Sequence, residues 1–167
     1  ARRWEHEWAA RGELRRQTPA GLLLAVGLND SARVGRADGR PQLSVDAYRF
    51  GIEQLIRAVR DRTEVLVLGL TAVDEHAMPF AGCLWYDNAS IALYEAQLEE
   101  ACLEADVPFL PLHGPMQEQA EWLGWMEPDG IHLNAGGHHW IHQRLMQWPA
   151  LLRWGCLEPR HQVTPLW

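Results

Sequence analysis

A three-layer α/β/α sandwich built on a parallel sheet is the fold this sequence predicts, and three observations lead there. Short apolar runs without alternation recur near residues 22, 65 and 107. Runs of that kind belong to strands covered on both faces, as in parallel sheets flanked by helices. Between them, apolar residues fall at spacings of three and four, so strands and helices alternate in the manner of βαβ units. At 167 residues the chain has the length of one domain with a sizeable core.

Taken in order, Ala1 to Arg16 is charged, with Trp4, Trp8 and Leu14 as its apolar positions. It reads as an amphipathic helix that Thr18-Pro19 ends. The next stretch, Gly21 to Asp30, has the sequence GLLLAVGLND, and its run Leu22 to Val26 predicts a buried, central strand. Asn29 and Asp30 then stand where the strand stops, and the carboxyl ends of strands in open α/β sheets face a common crevice. Ser31 to Gln42 holds Gly35, Gly39, Pro41 and three arginines, the composition of an exposed loop. Ser44 or Asp46 caps a helix running to about Arg62, with Tyr48, Ile52, Leu55, Ile56 and Val59 on one face.

Val65 to Leu70 is the second strand, and the long loop Thr71 to Asp87 follows it. Loops of that length are usually functional or disordered. Asn88 to Ala105 forms a helix with Ile91, Tyr94, Leu98, Ala101, Cys102 and Ala105 inward. Val107 to Leu112 is the third strand, and its Pro108 and Pro111 place it at an edge. A short helix from about Pro115 to Trp125 leads into EPDGIHLN, Ala135 to Gln147 forms the last helix, and the chain from Pro149 is irregular. Three strands are few for such a sheet. If the proline-bearing strand is one edge, Leu22 to Val26 becomes the other, although it has the composition of a strand with neighbours on both sides. Exposed apolar edges are avoided in native proteins, so further sheet is expected on the N-terminal side.

Composition narrows the function classes. Fifteen arginines, no lysine and 22 acidic residues give a net charge of -7 without a basic stripe, which argues against nucleic acid as a partner. No apolar run approaches the roughly 18 residues of a membrane span, and no signal-peptide pattern is visible, so a cytoplasmic protein is expected. Cys83, Cys102 and Cys156 are odd in number and widely spaced, which indicates neither a disulfide framework nor a zinc site. His138, His139 and His142 lie in HHWIH, which lacks the Glu of H-E-x-x-H. They are expected on the helix surface or in a pocket, and no metal is implied. Trp122, Trp125, Trp140 and Trp148 are expected as core or lid aromatics.

The second group of chemical interest is Asp129-Gly130-Ile131-His132. A His whose Nδ1–H is held by a carboxylate is oriented and made more basic, as a general base for a hydroxyl nucleophile must be. Three residues apart on a turn, the two side chains can meet without help from the rest of the fold. The plainer reading is that Pro128-Asp129-Gly130 is a turn and Asn134 the cap of the last helix.

GLND at the end of an inner strand, with DGIHLN about a hundred residues later before the C-terminal helix, resembles the SGNH hydrolases, or GDSL family of esterases and lipases. The loop TAVDEHAMPF and the segment RGELRR are similar to a bacterial branch of GDSL-like lipases and acylhydrolases. The resemblance extends to about Leu151, leaving 152–167 as a tail. It implies a flavodoxin-like fold with a five-stranded parallel sheet, no cofactor, and a small-molecule ester as substrate. It makes Asn29 an oxyanion-hole donor, His132 the general base and then acid, and Asp129 the residue that orients His132. Gly27 would keep the strand end open, Asp30 would tie the following loop, and Tyr86 and Asp87 could line an acyl pocket.

The family's nucleophile lies in a Gly-Asp-Ser block after its first strand, and a further donor is a glycine after its second. Neither is present. The only serines are Ser31, Ser44 and Ser90, and Ser31 belongs to the oxyanion block. The 167 residues are therefore expected to be the C-terminal portion of a longer serine esterase, nearly inactive by themselves. Two other readings stand beside this one: a catalytically inactive remnant, and a flavodoxin-like binding module, against which the absence of a glycine-rich phosphate loop weighs.

Overall fold

The computed structural model describes residues 19–154. Three parallel strands make the main sheet: β1 (Gly21–Leu24), β3 (Glu64–Leu68) and β5 (Phe109–Leu110), in the order β1-β3-β5. The apolar run of β3 is covered on both faces, and its side chains divide between two cores. Val65 and Val67 join Tyr48, Ile52, Ile56 and Val59 of α1 (Val45–Arg60) and Ile91, Tyr94, Leu98 and Cys102 of α2 (Asn88–Glu104). Leu66 and Leu68 pack instead with Leu110, Leu112, Trp148 and Ala150, joined by Trp140, Ile141 and Leu145 of α4 (Ala135–Met146). Helices thus cover the two faces of a parallel sheet, the α/β class expected.

The inward faces of both long helices are those their periodicity predicts, with Leu55 and Ala105 only partly buried. Their starts are capped as polar residues before apolar periods should cap them. Ser44 Oγ accepts from the Ala47 amide at 3.3 Å, and Asp87 Oδ1 from that of Ser90 at 2.7 Å. Arg49 ties the helices together outside the core, reaching Glu53 on α1 at 2.6 Å and Glu100 and Glu104 on α2 at 2.7 and 2.9 Å.

β1, within the expected strand Leu22 to Val26, stands at an edge of the described sheet, the arrangement from which further sheet on the N-terminal side is expected. Among the described residues β3 is the middle strand, and β1 pairs with β3 alone. Leu22 and Leu23 nevertheless pack toward opposite cores. An unbroken apolar run reports that both faces of a strand are covered, not how many strands lie beside it. β5 stands at the other edge of the described sheet, in keeping with the flanking Pro108 and Pro111. Pro108 gives no amide but its carbonyl accepts from Val67 at 3.0 Å.

Both loops around the site hold structure that composition did not reveal. β2 (Arg33–Val34), in the expected loop Ser31 to Gln42, pairs antiparallel with β4 (Leu84–Trp85) in the expected loop Thr71 to Asp87. Two-residue strands leave no periodicity to read. The expected helix Pro115 to Trp125 is instead α3 (His113–Gln117) followed by a separate 3₁₀ turn, Trp122–Trp125. The chain after Pro149, expected irregular, begins with α5 (Pro149–Trp154), because proline is tolerated in a first helical turn. The predicted helix Ala1 to Arg16, Cys156 and the rest of the tail lie outside the described residues. No helix among those described is long and apolar enough to cross a membrane.

Candidate active site

The carboxyl ends of β1 and β3 open into a crevice of about 1070 Å³ whose lining includes Gly27, Asn29, Thr71, His132 and His138. One wall is made by the turn after β1. Gly27 sits at φ 121°, and a Cβ there would lie 2.4 Å from the Tyr48 hydroxyl, so the chain can leave the strand this way only with glycine. The 3₁₀ turn Leu28–Ser31 follows and carries Asn29 into the crevice wall. Asn29 Oδ1 accepts from the Tyr86 hydroxyl at 2.8 Å, which leaves the Nδ2 amide as the end available to a ligand. Asp30 also lines the crevice, and burial pushes its carboxyl above the usual range. Its main-chain carbonyl accepts from Leu43 at 3.2 Å, so the tie to the following loop runs through the backbone.

Ile131 and His132, at the end of the turn Glu127–His132, also line the crevice. The Gly130 amide donates to Glu127 O at 2.9 Å and the Glu127 amide to His132 O at 2.7 Å, which closes the turn on itself. Gly130 is at φ 72°, and a Cβ on it would meet Ala77 Cβ at 2.6 Å and Asp74 O at 2.7 Å. Its carbonyl accepts from Asp74 at 2.9 Å, so the loop after β3 holds the turn from behind.

Within that frame Asp129 is fixed by three donors: the amides of Ile131 and His132 at 2.9 and 3.0 Å to Oδ1, and His132 Nδ1 at 2.6 Å to Oδ2. These bonds, the imidazole's first, pull its carboxyl down to about 2. An ionised carboxylate only accepts, so Nδ1 carries the proton, and in the neutral ring the lone pair lies on Nε2. The ring is 66% exposed and stands edge-on to Phe80 at 5.8 Å between centroids. Its Nε2 makes no hydrogen bond among the described residues. The plainer reading of this region holds as well: Asn134 caps α4, accepting from Gly136 and Gly137 at 2.8 and 3.3 Å.

None of the three serines lines the crevice. Ser31 is buried with its Oγ donating to Leu28 O at 2.8 Å, Ser44 caps α1, and Ser90 bonds Asp87 at the start of α2. Tyr86 and Asp87 do not line it either. Tyr86 is buried behind Asn29, and Asp87 caps α2 and pairs with Arg33 at 3.1 Å. His139 and His142 stack at 6.5 Å, and among the described residues no three His, Cys, Asp or Glu side chains gather into a metal-binding group. Trp125 stacks on Trp140 at 5.4 Å and Trp148 is buried in the second core.

One residue near the site was not foreseen. Glu95, on the buried face of α2, accepts at Oε1 from the amides of Leu70, Leu112 and His113 at 2.9, 2.9 and 3.1 Å. It binds the ends of β3 and β5 together beneath the crevice. The available signal was a carboxylate falling in line with Ile91, Leu98 and Cys102 on an otherwise apolar stripe.

A family model described as GDSL-like Lipase/Acylhydrolase matches residues 1–140. The chain belongs to that family. No curated protein matches it. Solved structures of this GDSL-like fold match closely in shape and distantly in sequence. The lipase/acylhydrolase from Enterococcus faecalis superposes with a TM-score of 0.68 at 16% identity, covering 87% of this chain and 66% of that one. LAE5, an alpha/beta hydrolase enzyme from the metagenome of Lake Arreo, Spain, gives 0.60 at 15%, covering 93% and 68%. An acetylxylan esterase from Geobacillus stearothermophilus gives 0.57 at 12%, covering 87% and 64%. The GDSL-like chain described here thus spans about two thirds of the length of the structures it resembles.

Proposed function

We propose that this crevice is the reaction site of an ester hydrolase, in which Asn29, Asp129 and His132 act on a carboxylic ester, acyl or acetyl. The observation that carries the reading is the 2.6 Å bond from His132 Nδ1 to Asp129, on a ring that lines the same crevice as Asn29. His132 Nε2 takes the proton of an attacking hydroxyl and returns it to the departing alkoxide. A water then attacks the acyl intermediate with the same nitrogen as base. Asp129, ionised at any pH above its lowered value, stabilises the imidazolium formed at each step. Asn29 Nδ2 donates to the oxygen that becomes negative as the carbonyl carbon turns tetrahedral, a contact worth roughly 3 kcal/mol of barrier.

The hydroxyl belongs to a serine outside these 167 residues, since Ser31, Ser44 and Ser90 are engaged in turns and caps. That same engagement favours a second reading for the isolated polypeptide, a binding-competent but inactive remnant. A fluorophosphonate probe on the natural gene product separates the two. Labelling that disappears in His132→Ala supports the hydrolase, and a protein that neither labels nor turns over p-nitrophenyl acetate is the remnant.

A further inference from the structure

An oxyanion donor works only if its carboxamide presents the nitrogen end to the substrate, and the terminal torsion of Asn is broad and nearly two-fold. The geometry points to Tyr86 as the positioning residue that fixes this choice for Asn29, an inference that rests on the proposed role of Asn29. The Tyr86 O–H lies 2.8 Å from Asn29 Oδ1. Among the described residues that hydroxyl makes no other hydrogen bond. With Oδ1 toward Tyr86, the buried O–H is satisfied and both Nδ2 hydrogens are left for a ligand. With the carboxamide reversed, Nδ2 would face the phenol oxygen, the O–H would lose its acceptor, and a carbonyl oxygen would confront the substrate's developing charge.

Tyr86 is itself held. It is 3% exposed, its ring stands edge-on to Phe80 at 6.4 Å, its amide donates to Met78 Sδ at 3.4 Å, and the next residue, Asp87, caps α2. Burial raises its phenol above the ordinary value, so it remains a donor through the neutral range. Phe80, the ring beside Tyr86, is also the ring beside His132. The loop between β3 and α2 therefore backs both candidate groups, and Tyr86 is its point of contact with the donor.

Tyr86→Phe in the natural gene product tests this by removing one hydroxyl from a ring that keeps its packing. Expected are a fall of about tenfold in kcat for p-nitrophenyl acetate, the scale of one hydrogen bond, with KM within about twofold. No further fall is expected when the change is made in Asn29→Ala, because the two residues act through one donor. The side-chain NH₂ resonances of Asn29, identified by their loss in Asn29→Ala, are expected to move in Tyr86→Phe. An unchanged kcat, or the same fall in both backgrounds, overturns the inference. If the unsubstituted protein shows no turnover, the hydrolase reading fails on its own, and the resonances still decide: an unmoved NH₂ pair overturns the role of Tyr86.

Discussion

Asp129 carries an electrostatic consequence that can be measured apart from turnover. Its carboxyl, ordinarily near 3.8, is held at about 2 in the folded protein by the imidazole and two amides. A group whose folded value is depressed stabilises the fold above its unfolded value and loses that contribution as pH falls through the folded one. The difference in Tm between the protein and Asp129→Asn should therefore be constant above about pH 4 and shrink between pH 4 and 2, as thermal melts across that range would show. The other residue-scale test is Asn29→Ala, expected to lower kcat for p-nitrophenyl acetate by roughly 10²–10³, with a fall in Tm as well, because the buried Tyr86 hydroxyl loses its acceptor. The placement of Asn29, Asp129 and His132 on turns next to regular elements was legible in the sequence because each sits in a short local motif, GLND or DGIH. Tyr86 and Glu95 were not, because each acts on a partner far along the chain, and spacing says nothing about who meets whom across 57 residues.

At the scale of elements, the ends of β3 and β5 are held together by one buried carboxylate rather than by strand length. β5 has only two residues, and the amides just beyond β3 and β5 find their acceptor in Glu95. Glu95→Ala leaves three buried amides without a partner and should destabilise the fold by roughly 3 kcal/mol or more, read from denaturant unfolding. Gly69→Ala should do similar damage, since its Cβ would fall 2.0 Å from Glu95 Oε1. In the turn Glu127–His132, Gly130→Ala collides with Ala77 and Asp74 and requires a left-handed backbone. It should displace the His132 turn and abolish turnover. The two long helices were legible because periods of three and four persist over 16 and 17 residues in α1 and α2, while the Asp87 cap of α2 was not. The β2–β4 pair was not, because two residues have no period.

At the scale of the whole molecule, the described sheet presents β1 as a strand covered on both faces and paired along one edge only, beside a crevice lined by Asn29 and His132, with Asp129 bonded to His132 Nδ1. The α/β class was legible from three apolar runs. Which strands lie beside β1 was less legible, because coverage of faces and pairing of edges leave the same mark on composition. The 167-residue polypeptide alone is expected to turn over esters at no more than a residual rate, because its three serines are committed to turns and caps. The decisive measurement is the initial rate of p-nitrophenyl acetate hydrolysis by the natural gene product beside its His132→Ala variant. Turnover that falls by about 10³-fold or more on losing the imidazole is the predicted result. Equal rates in the two proteins, or none in either, would contradict an ester hydrolase built on Asp129 and His132.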